Sequence, residues 1–147
     1  MRIELTNQKK IQEALSRYPT SSRRNFRRAS ERSGRMVERF AKRTAPVDQG
    51  SLRQSIGTNV SGISAEVVAG AKYAPFVEFG RKPGTQPPIQ NLERWANKRG
   101  IDPFVVARSI GRYGTKAQPF MHPALEKNRR NIIIEFEQAL RKTIDEL

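Results

Sequence analysis

The fold is best predicted from residues 20–43, which have the sequence TSSRRNFRRASERSGRMVERFAKR. Apolar and small residues recur there at i, i+3, i+7, i+10, i+11 and i+14, which places them along one narrow stripe of an α-helix. Thr20, Ser21 and Ser22 supply side-chain oxygens that suit the capping of its first turn. The segment therefore predicts a long helix that ends near Arg43. The residues of its stripe are Phe26, Ala29, Ser33, Met36, Val37 and Phe40.

The rest of this helix surface is strongly basic. The 147 residues include 28 Lys and Arg against 14 Asp and Glu, a formal net charge of +14. Such a charge attracts polyanions and acidic protein surfaces without choosing between them. The arginines can contact DNA phosphates, pair with acidic residues of a neighbouring subunit, or remain solvated. The candidate contact residues are Arg23, Arg24, Arg27, Arg28, Arg32 and Arg35.

The segments on either side of the long helix have different patterns. Before it, Ile11, Ala14 and Leu15 recur at helical spacing, which predicts a further helix that ends before Pro19. After it, residues 52–60 and 64–71 have the composition of strands, and the Ser-Gly pair between them predicts an antiparallel hairpin. In the second strand, alternation predicts that Ala65, Val67 and Ala69 share one face. Residues 74–79 fit either a short helix or a strand.

The remainder of the chain predicts a loop and three more helices. Residues 80–88 are rich in Gly and Pro and indicate an exposed loop. Residues 89–99 predict an amphipathic helix that stops at Gly100, and Asp102 caps a second short helix that Gly111 and Gly114 end. Residues 115–120 are expected to be extended. The last helix begins near Pro123 and runs to the C-terminus, and its apolar stripe consists of Ile133, Phe136, Leu140 and Ile144.

Together these patterns predict an α+β fold with a long N-terminal helix, a small antiparallel sheet, a short helix pair and a long C-terminal helix. A chain of this length suits one domain, residues 1–147. Its parts are a basic helical region (1–43), a turn and β-hairpin region (44–80), a loop and helix-pair insertion (81–118) and the C-terminal helix (119–147). Narrow apolar stripes on both long helices and the open edges of a small sheet indicate association with other subunits.

The composition argues against catalysis. The chain has no cysteine, and His122 is its only histidine, which excludes a Cys/His pair and cysteine-based zinc sites. No G-x-S-x-G motif surrounds a serine, and neither glycine-rich segment has the spacing of a phosphate-binding loop. We therefore expect a non-enzymatic protein without cofactor or metal. No apolar run approaches the roughly 20 residues of a membrane helix, and no signal peptide is recognisable, so we expect a soluble, unexported protein without membrane contact.

Three short blocks, in this order, resemble those of phage tail-component proteins. Residues 44–56, TAPVDQGSLRQSI, resemble a T-A-P-V-D-T-G-x-L-R-x-S-I signature. Residues 73–80, YAPFVEFG, resemble Y-A-x-x-V-E-F-G, and residues 119–125, PFMHPAL, resemble P-F-L-x-P-A-L. The chain thus resembles the tail-completion (head–tail joining, or neck) proteins of long-tailed double-stranded DNA phages, which include minor tail protein Z. It departs from them at Gln49, where Thr is common, and in the helix pair around Trp95 and Phe104.

The resemblance implies a structural virion protein of the head–tail junction, made in the host cytoplasm, with no catalytic residue. The expected partners are, first, further copies of the chain in a homo-oligomeric ring around the DNA channel, which is expected to be a hexamer. The other expected partners are the neighbouring proteins of the junction: the connector or stopper, and the tail terminator or tail tube protein. Non-specific contact with packaged DNA is also expected. Two alternatives remain: the tail terminator itself, and a basic protein that binds nucleic acid without sequence preference.

In these blocks the residues themselves predict structural roles. Pro46 and Gly50 favour a turn in which Asp48 accepts backbone hydrogen bonds, and Arg53 is expected to pair with Glu78 across the sheet. Leu52 and Ile56 are expected to anchor the first strand, and Tyr73, Val77 and Phe79 are expected to pack in the core. Gly80 is expected to adopt a backbone angle that other residues resist. Pro119 and Pro123 are expected to keep the segment around Phe120 extended.

Overall fold

The computed structural model describes residues 2–4, 20–47 and 50–146. Over these ranges the fold is mixed helix and sheet with long N- and C-terminal helices, as predicted. The helix predicted around Ile11 and the turn residue Asp48 lie outside the described residues. The elements are β1 (Arg2–Glu4), α1 (Thr20–Thr44), α2 (Ser51–Ser55), β2 (Ile56–Ser61), β3 (Ser64–Ala69), α3 (Ala74–Phe79), α4 (Gln90–Lys98), α5 (Pro103–Tyr113) and α6 (Met121–Asp145).

The chain forms two compact units. The main unit comprises Met1–Ala74 and Phe120–Leu147, and the inserted unit comprises Pro75–Pro119. The inserted unit contains the segment 81–118 that the sequence predicts as an insertion. Assignment of the whole chain to one domain stays a prediction.

Helix α1 packs through a face of small residues. Ala29, Ser33 and Val37 of the predicted stripe are buried, and Ser30 and Gly34 are buried beside them. Small side chains let two backbones approach closely, and a Cβ added at Gly34 would lie 2.5 Å from the Cγ2 atom of Thr58 in β2. The stripe is thus used inside the chain. The other three residues of the stripe, Phe26, Met36 and Phe40, are only half-buried. That the stripe also serves association with other subunits stays a prediction.

Helix α6 lies antiparallel against α1. Asn25 near the start of α1 donates a hydrogen bond to Glu146 just beyond the end of α6 (2.9 Å), whereas Arg32 pairs with Glu135 farther back along α6. The rings of Phe26 and Phe136 are 6.3 Å apart. The face that α6 buries consists of Met121, Ala124, Ile132, Ala139 and Thr143.

The sheet is antiparallel with the strand order β1-β3-β2. The predicted hairpin is confirmed for β2 and β3, and so is the alternation in β3, since Ala65, Val67 and Ala69 are buried. The first strand is shorter than predicted because residues 51–55 form α2. Gly50 has a φ of 78° and its carbonyl accepts the amide N–H of Gln54 (2.9 Å), which begins a helical turn there.

The inserted unit contains α4, α5, most of α3 and the loop between α3 and α4. Asp102 caps α5 as predicted, since its carboxylate accepts the N–H of Phe104 (2.8 Å). Gly111 lies inside α5 rather than ending it, and Gly114 forms the C-cap. Gly80 has a φ of 71°, and an added Cβ would lie 2.5 Å from the carbonyl oxygen of Thr115, so only glycine fits there. Among residues 75–119, all of which are described, only Ala96 and Ala107 are buried apolar residues.

Candidate functional site

The six arginines of α1 predicted as contact residues fall into two groups. All six predicted contact residues are exposed. Successive helical residues are rotated by about 100°, so four of the six, together with Arg39, project within an arc of about 80° around the helix axis. We call these five residues the arginine row. The sequence analysis did not include Arg39, although its spacing from the other arginines places it in the same arc. Arg23 and Arg27 project outside that arc. The arginine row consists of Arg24, Arg28, Arg32, Arg35 and Arg39.

Two members of the arginine row have acidic partners within the chain. Arg32 Nη1 is 3.2 Å from Glu135 Oε2 on α6, and Arg35 Nη2 is 2.6 Å from Glu31 Oε1 on α1. The side chains of both arginines are more than half exposed. Exposed pairs of this kind contribute about 0–1 kcal/mol each, so a phosphate or a partner carboxylate can displace them at small cost.

A shallow cleft between α1 and α6 extends this basic surface. It has a volume of about 130 Å³ and is lined by Arg28, Arg32 and Lys142, together with Glu135 and neutral residues. Pockets for small organic ligands usually have roughly 300–1,000 Å³. The cleft is therefore too small to indicate a small-molecule site, and its charge is its main property.

The first family block fastens the end of α1 to α2. Leu52 is buried in α2 instead of anchoring a strand, because the turn at Gly50 starts a helix. Arg53 Nη2 donates to the carbonyl of Arg43 (3.4 Å) at the end of α1, and Ser51 Oγ is 2.8 Å from the Tyr73 hydroxyl. Pro46 is half-buried before this turn.

The second block forms α3, which corrects the predicted core roles of two aromatic residues. Phe79 is 71% exposed and Tyr73 is 45% exposed, so neither is core. With a helical period, Phe79 lies on the same side as Phe76, away from the half-buried Val77 and the buried Glu78. Both Arg53 and Glu78 lie in helices, so the predicted pairing cannot cross the sheet. Whether they pair stays a prediction.

The third block begins α6. Phe120 is fully buried at the N-cap, between an exposed Pro119 and a Pro123 that is half-buried in the first helical turn. Its backbone has a φ of −131° and a ψ of −30°, which differs from the extended conformation expected for it. His122 is exposed in the first turn of α6. The residues of this block thus hold the start of the helix.

Glu38 is a connecting residue that sequence reasoning missed. Its carboxylate accepts hydrogen bonds from Thr58 Oγ1 on β2 (2.7 Å) and from Lys42 Nζ (2.5 Å). Burial raises the pKa of Glu38, but these two donors and the nearby positive charges lower it further, and the net pKa lies below the ordinary value of 4.5. The i, i+4 spacing from Lys42 was visible in the sequence, whereas Thr58 becomes a neighbour only in the folded chain.

Two exposed features of the main unit can meet other chains. Ile133, Leu140 and Ile144 form an apolar stripe on α6, each at least half exposed; we call it the α6 stripe. Strand β2 lies at one edge of the sheet, and no other described strand pairs with its outer side. It contains no charged residue and no proline, the features that usually protect an edge strand.

The described residues supply neither a recognisable metal site nor a membrane span. No group of three or more His, Asp or Glu in these ranges could hold a metal ion. No helix in the described part of the chain is long and apolar enough to cross a membrane. The candidate functional surfaces are therefore the arginine row, the α6 stripe and the edge of β2.

Comparison with known proteins gives one match. Residues 9–80 match the HK97-gp10-like family model, described as "Bacteriophage HK97-gp10, putative tail-component". No curated protein and no solved structure matches the chain significantly. The match contains α1, the β2–β3 hairpin and the first two sequence blocks, whereas the block at residues 119–125 lies beyond it. Over residues 9–80, just under half of its length, the chain therefore matches the HK97-gp10-like family of bacteriophage tail components.

Proposed function

We propose that this chain is a structural protein of the phage head–tail junction, where copies form a ring around the DNA channel and join the tail to the head. The match of residues 9–80 to a phage tail-component family supports a structural role in the virion and contact with other virion proteins. The finer assignment to the junction rests on the three ordered sequence blocks. The α6 stripe is the observation that carries ring formation.

The α6 stripe supports self-association because α6 already buries a separate face inside the chain. Met121, Ala124 and Ile132 pack inward, yet Ile133, Leu140 and Ile144 remain at the surface. Fully burying an aliphatic side chain contributes about 1.5–3 kcal/mol. The edge of β2, with which no other described strand pairs, offers a second contact through backbone hydrogen bonds with another chain. A subunit with two such surfaces can contact a neighbour on each side, as a ring requires.

Light scattering at physiological salt tests the proposal, with the chain alone and with purified neighbouring tail proteins of the same phage. We expect a defined oligomer whose mass gives the copy number, and we expect Ile133→Ser to lower the association constant at least tenfold. Ile134→Ser is the matched control, because Ile134 lies on another side of α6 and is only 39% exposed. A chain that stays monomeric even with those proteins would contradict the ring. A tail terminator would instead bind the end of isolated tail tubes without needing the head.

The arginine row favours a second candidate function, sequence-independent contact with DNA. Replacement of Arg28 and Arg39 by Gln tests it, with replacement of Arg23 and Arg27 as the control that removes the same charge outside the row. Binding to a 30-base-pair duplex is measured across a salt series. If the row faces the phosphates, only the first pair reduces the salt slope, by about one to two counterions. Equal effects of both pairs would indicate net charge alone.

A further inference from the structure

The exposed face of α5 has an unusual composition. Phe104 is 62% exposed and Val105 is 57% exposed. The helix packs instead through Ala107, with Val106 and Ile110 half-buried beside it. The inserted unit therefore packs α5 through small and medium-sized residues and leaves the large apolar side chains of Phe104 and Val105 at the surface.

Two arginines complete this face. Arg108 follows Phe104 by four residues and Val105 by three, and Arg112 follows Arg108 by four, so the side chains are neighbours on the helix surface. Both arginines are exposed. An aromatic and an aliphatic side chain beside two arginines is the composition of the centre of a protein interface, where aromatic residues and Arg are enriched. We call these four residues the α5 face.

The charge of the inserted unit selects the kind of partner. Residues 75–119 contain eight Lys and Arg against three Asp and Glu, and the whole chain carries a net charge of +14. Two inserted units that meet through this surface would therefore repel each other, whereas an acidic surface would be attracted. Phe104 offers a ring on which a base can stack, whereas the aliphatic Val105 beside it suits an apolar protein patch, so binding to nucleic acid is one outcome of the test.

We propose that the α5 face is a docking site for a protein partner, a neighbouring virion protein that presents an apolar patch bordered by Asp and Glu. The inference rests on the proposed structural role, since it names the surface by which this subunit binds a neighbour. Phe104 and Val105 enter the apolar patch, and Arg108 and Arg112 pair with the carboxylates at its border.

Co-sedimentation with virion parts tests this site. The probes are gradient-purified heads and tails from the encoding phage with this gene deleted, mixed with the full-length chain. We expect Phe104→Ser with Val105→Ser, and separately Arg108→Glu with Arg112→Glu, to lower the bound fraction at least tenfold. The matched controls are Phe79→Ser, and Arg94→Glu with Lys98→Glu on α4, which change equally exposed positions of the same unit. We expect the controls to stay within twofold of the wild type.

The outcomes separate this inference from the proposed function. If the wild-type chain binds neither heads nor tails, the proposed function fails and the docking site with it. If the wild type binds and the α5-face variants bind equally well, only the docking site is wrong. The docking site is also wrong if the control variants lose as much binding as the α5-face variants. Loss of self-association by the α5-face variants in light scattering would instead indicate that a second copy binds there. Loss of their binding to a 30-base-pair duplex or a 30-nucleotide single strand would indicate that nucleic acid binds there. Circular dichroism verifies that each variant keeps the wild-type helix content.

Discussion

Gly34 sets how closely α1 approaches the sheet. A Cβ at this position would lie 2.5 Å from Thr58 Cγ2 and 3.1 Å from Ala65 Cβ. Thr58 is also held by its hydrogen bond to Glu38, so its side chain cannot rotate away freely. We expect Gly34→Ala to lower the free energy of unfolding by about 1–3 kcal/mol, although alanine is the better helix former, because overpacking outweighs helix propensity here. Urea denaturation at neutral pH measures this.

Gly57 provides the matched control for this substitution. It lies on β2 next to Thr58, and a Cβ added there would meet nothing within 4 Å. We expect Gly57→Ala to leave the free energy of unfolding unchanged within about 0.5 kcal/mol or to raise it slightly. If Gly34→Ala is as neutral as Gly57→Ala, the close approach of α1 to β2 is not a tight contact.

Glu38 makes the attachment of α1 to β2 sensitive to acid. Its pKa in the folded chain lies below the ordinary value of 4.5, so its stabilising contribution is complete above that value and is lost as the pH falls through the lowered pKa. We expect Glu38→Gln to reduce the free energy of unfolding by about 1–2 kcal/mol at pH 7. The difference from the wild type should shrink at pH 3. Urea denaturation at the two pH values gives the comparison.

Glu31→Gln is the control for the effect of pH. Glu31 pairs with Arg35 at the exposed surface of the same helix, so its loss should cost less than about 0.5 kcal/mol. A Glu38→Gln difference that is the same at pH 7 and pH 3 would mean that ionisation of Glu38 does not contribute to the contact with Thr58 and Lys42.

At the scale of elements, the cap of α5 is the clearest case of a local signal that determines a helix start. Asp102 accepts the N–H of Phe104, and Pro103 occupies the first turn. We expect Asp102→Ala to destabilise α5 by about 1 kcal/mol, which increases the hydrogen exchange of its amides about fivefold. In the Asp102→Asn variant, the amides of α5 should exchange at the wild-type rate, because asparagine caps a helix as well as aspartate does. Equal protection in all three chains would show that the cap does not limit the opening of α5.

The elements that could be predicted from the sequence are those with local signals. The long helix α1, the alternation of Ala65, Val67 and Ala69, and the cap at Asp102 each depend on residues close together in the chain. The helix at residues 51–55 was missed because its composition suits a strand, while the left-handed backbone at Gly50 starts a helical turn. Tertiary context decided that segment against its strand propensity.

The faces of the two long helices were harder to predict than their lengths. On α1, buried Ser22, Ser30 and Ser33 carry little hydrophobic signal, yet their small size is what the close contact with neighbouring elements requires. On α6 the predicted stripe exists, but the helix buries the adjacent face around Ile132 and leaves Ile133 outside. Periodicity detects an apolar side of a helix, but it does not tell which of two apolar sides the chain buries itself. The exposed side is the one that matters for the candidate function.

At the scale of the whole molecule, four surfaces carry the proposed functions. In our proposals, the α6 stripe and the edge of β2 make contacts between copies, and the arginine row contacts DNA or an acidic neighbour. The α5 face is the proposed site for a second protein. Of these, the basic character of α1 could be predicted from composition, and the existence of the α6 stripe could be predicted from helical spacing. The α5 face could not, because Phe104 and Val105 have the composition of core residues, and only the packing through Ala107 leaves them exposed.

Net charge leads to a prediction for assembly as a whole. Each copy carries a formal charge of +14, so copies repel one another when screening is weak. The Debye length falls from about 14 Å at 50 mM salt to about 6 Å at 300 mM, whereas burial of the α6 stripe depends little on salt. We therefore expect self-association of the chain alone to strengthen several-fold over this range, as measured by sedimentation equilibrium. Binding to a DNA duplex should weaken over the same range, because counterion release opposes it. Ile133→Ser should reduce self-association at both salt concentrations. If self-association of the wild-type chain instead weakens as the salt concentration rises, then ion pairs, and not the α6 stripe, hold the copies together.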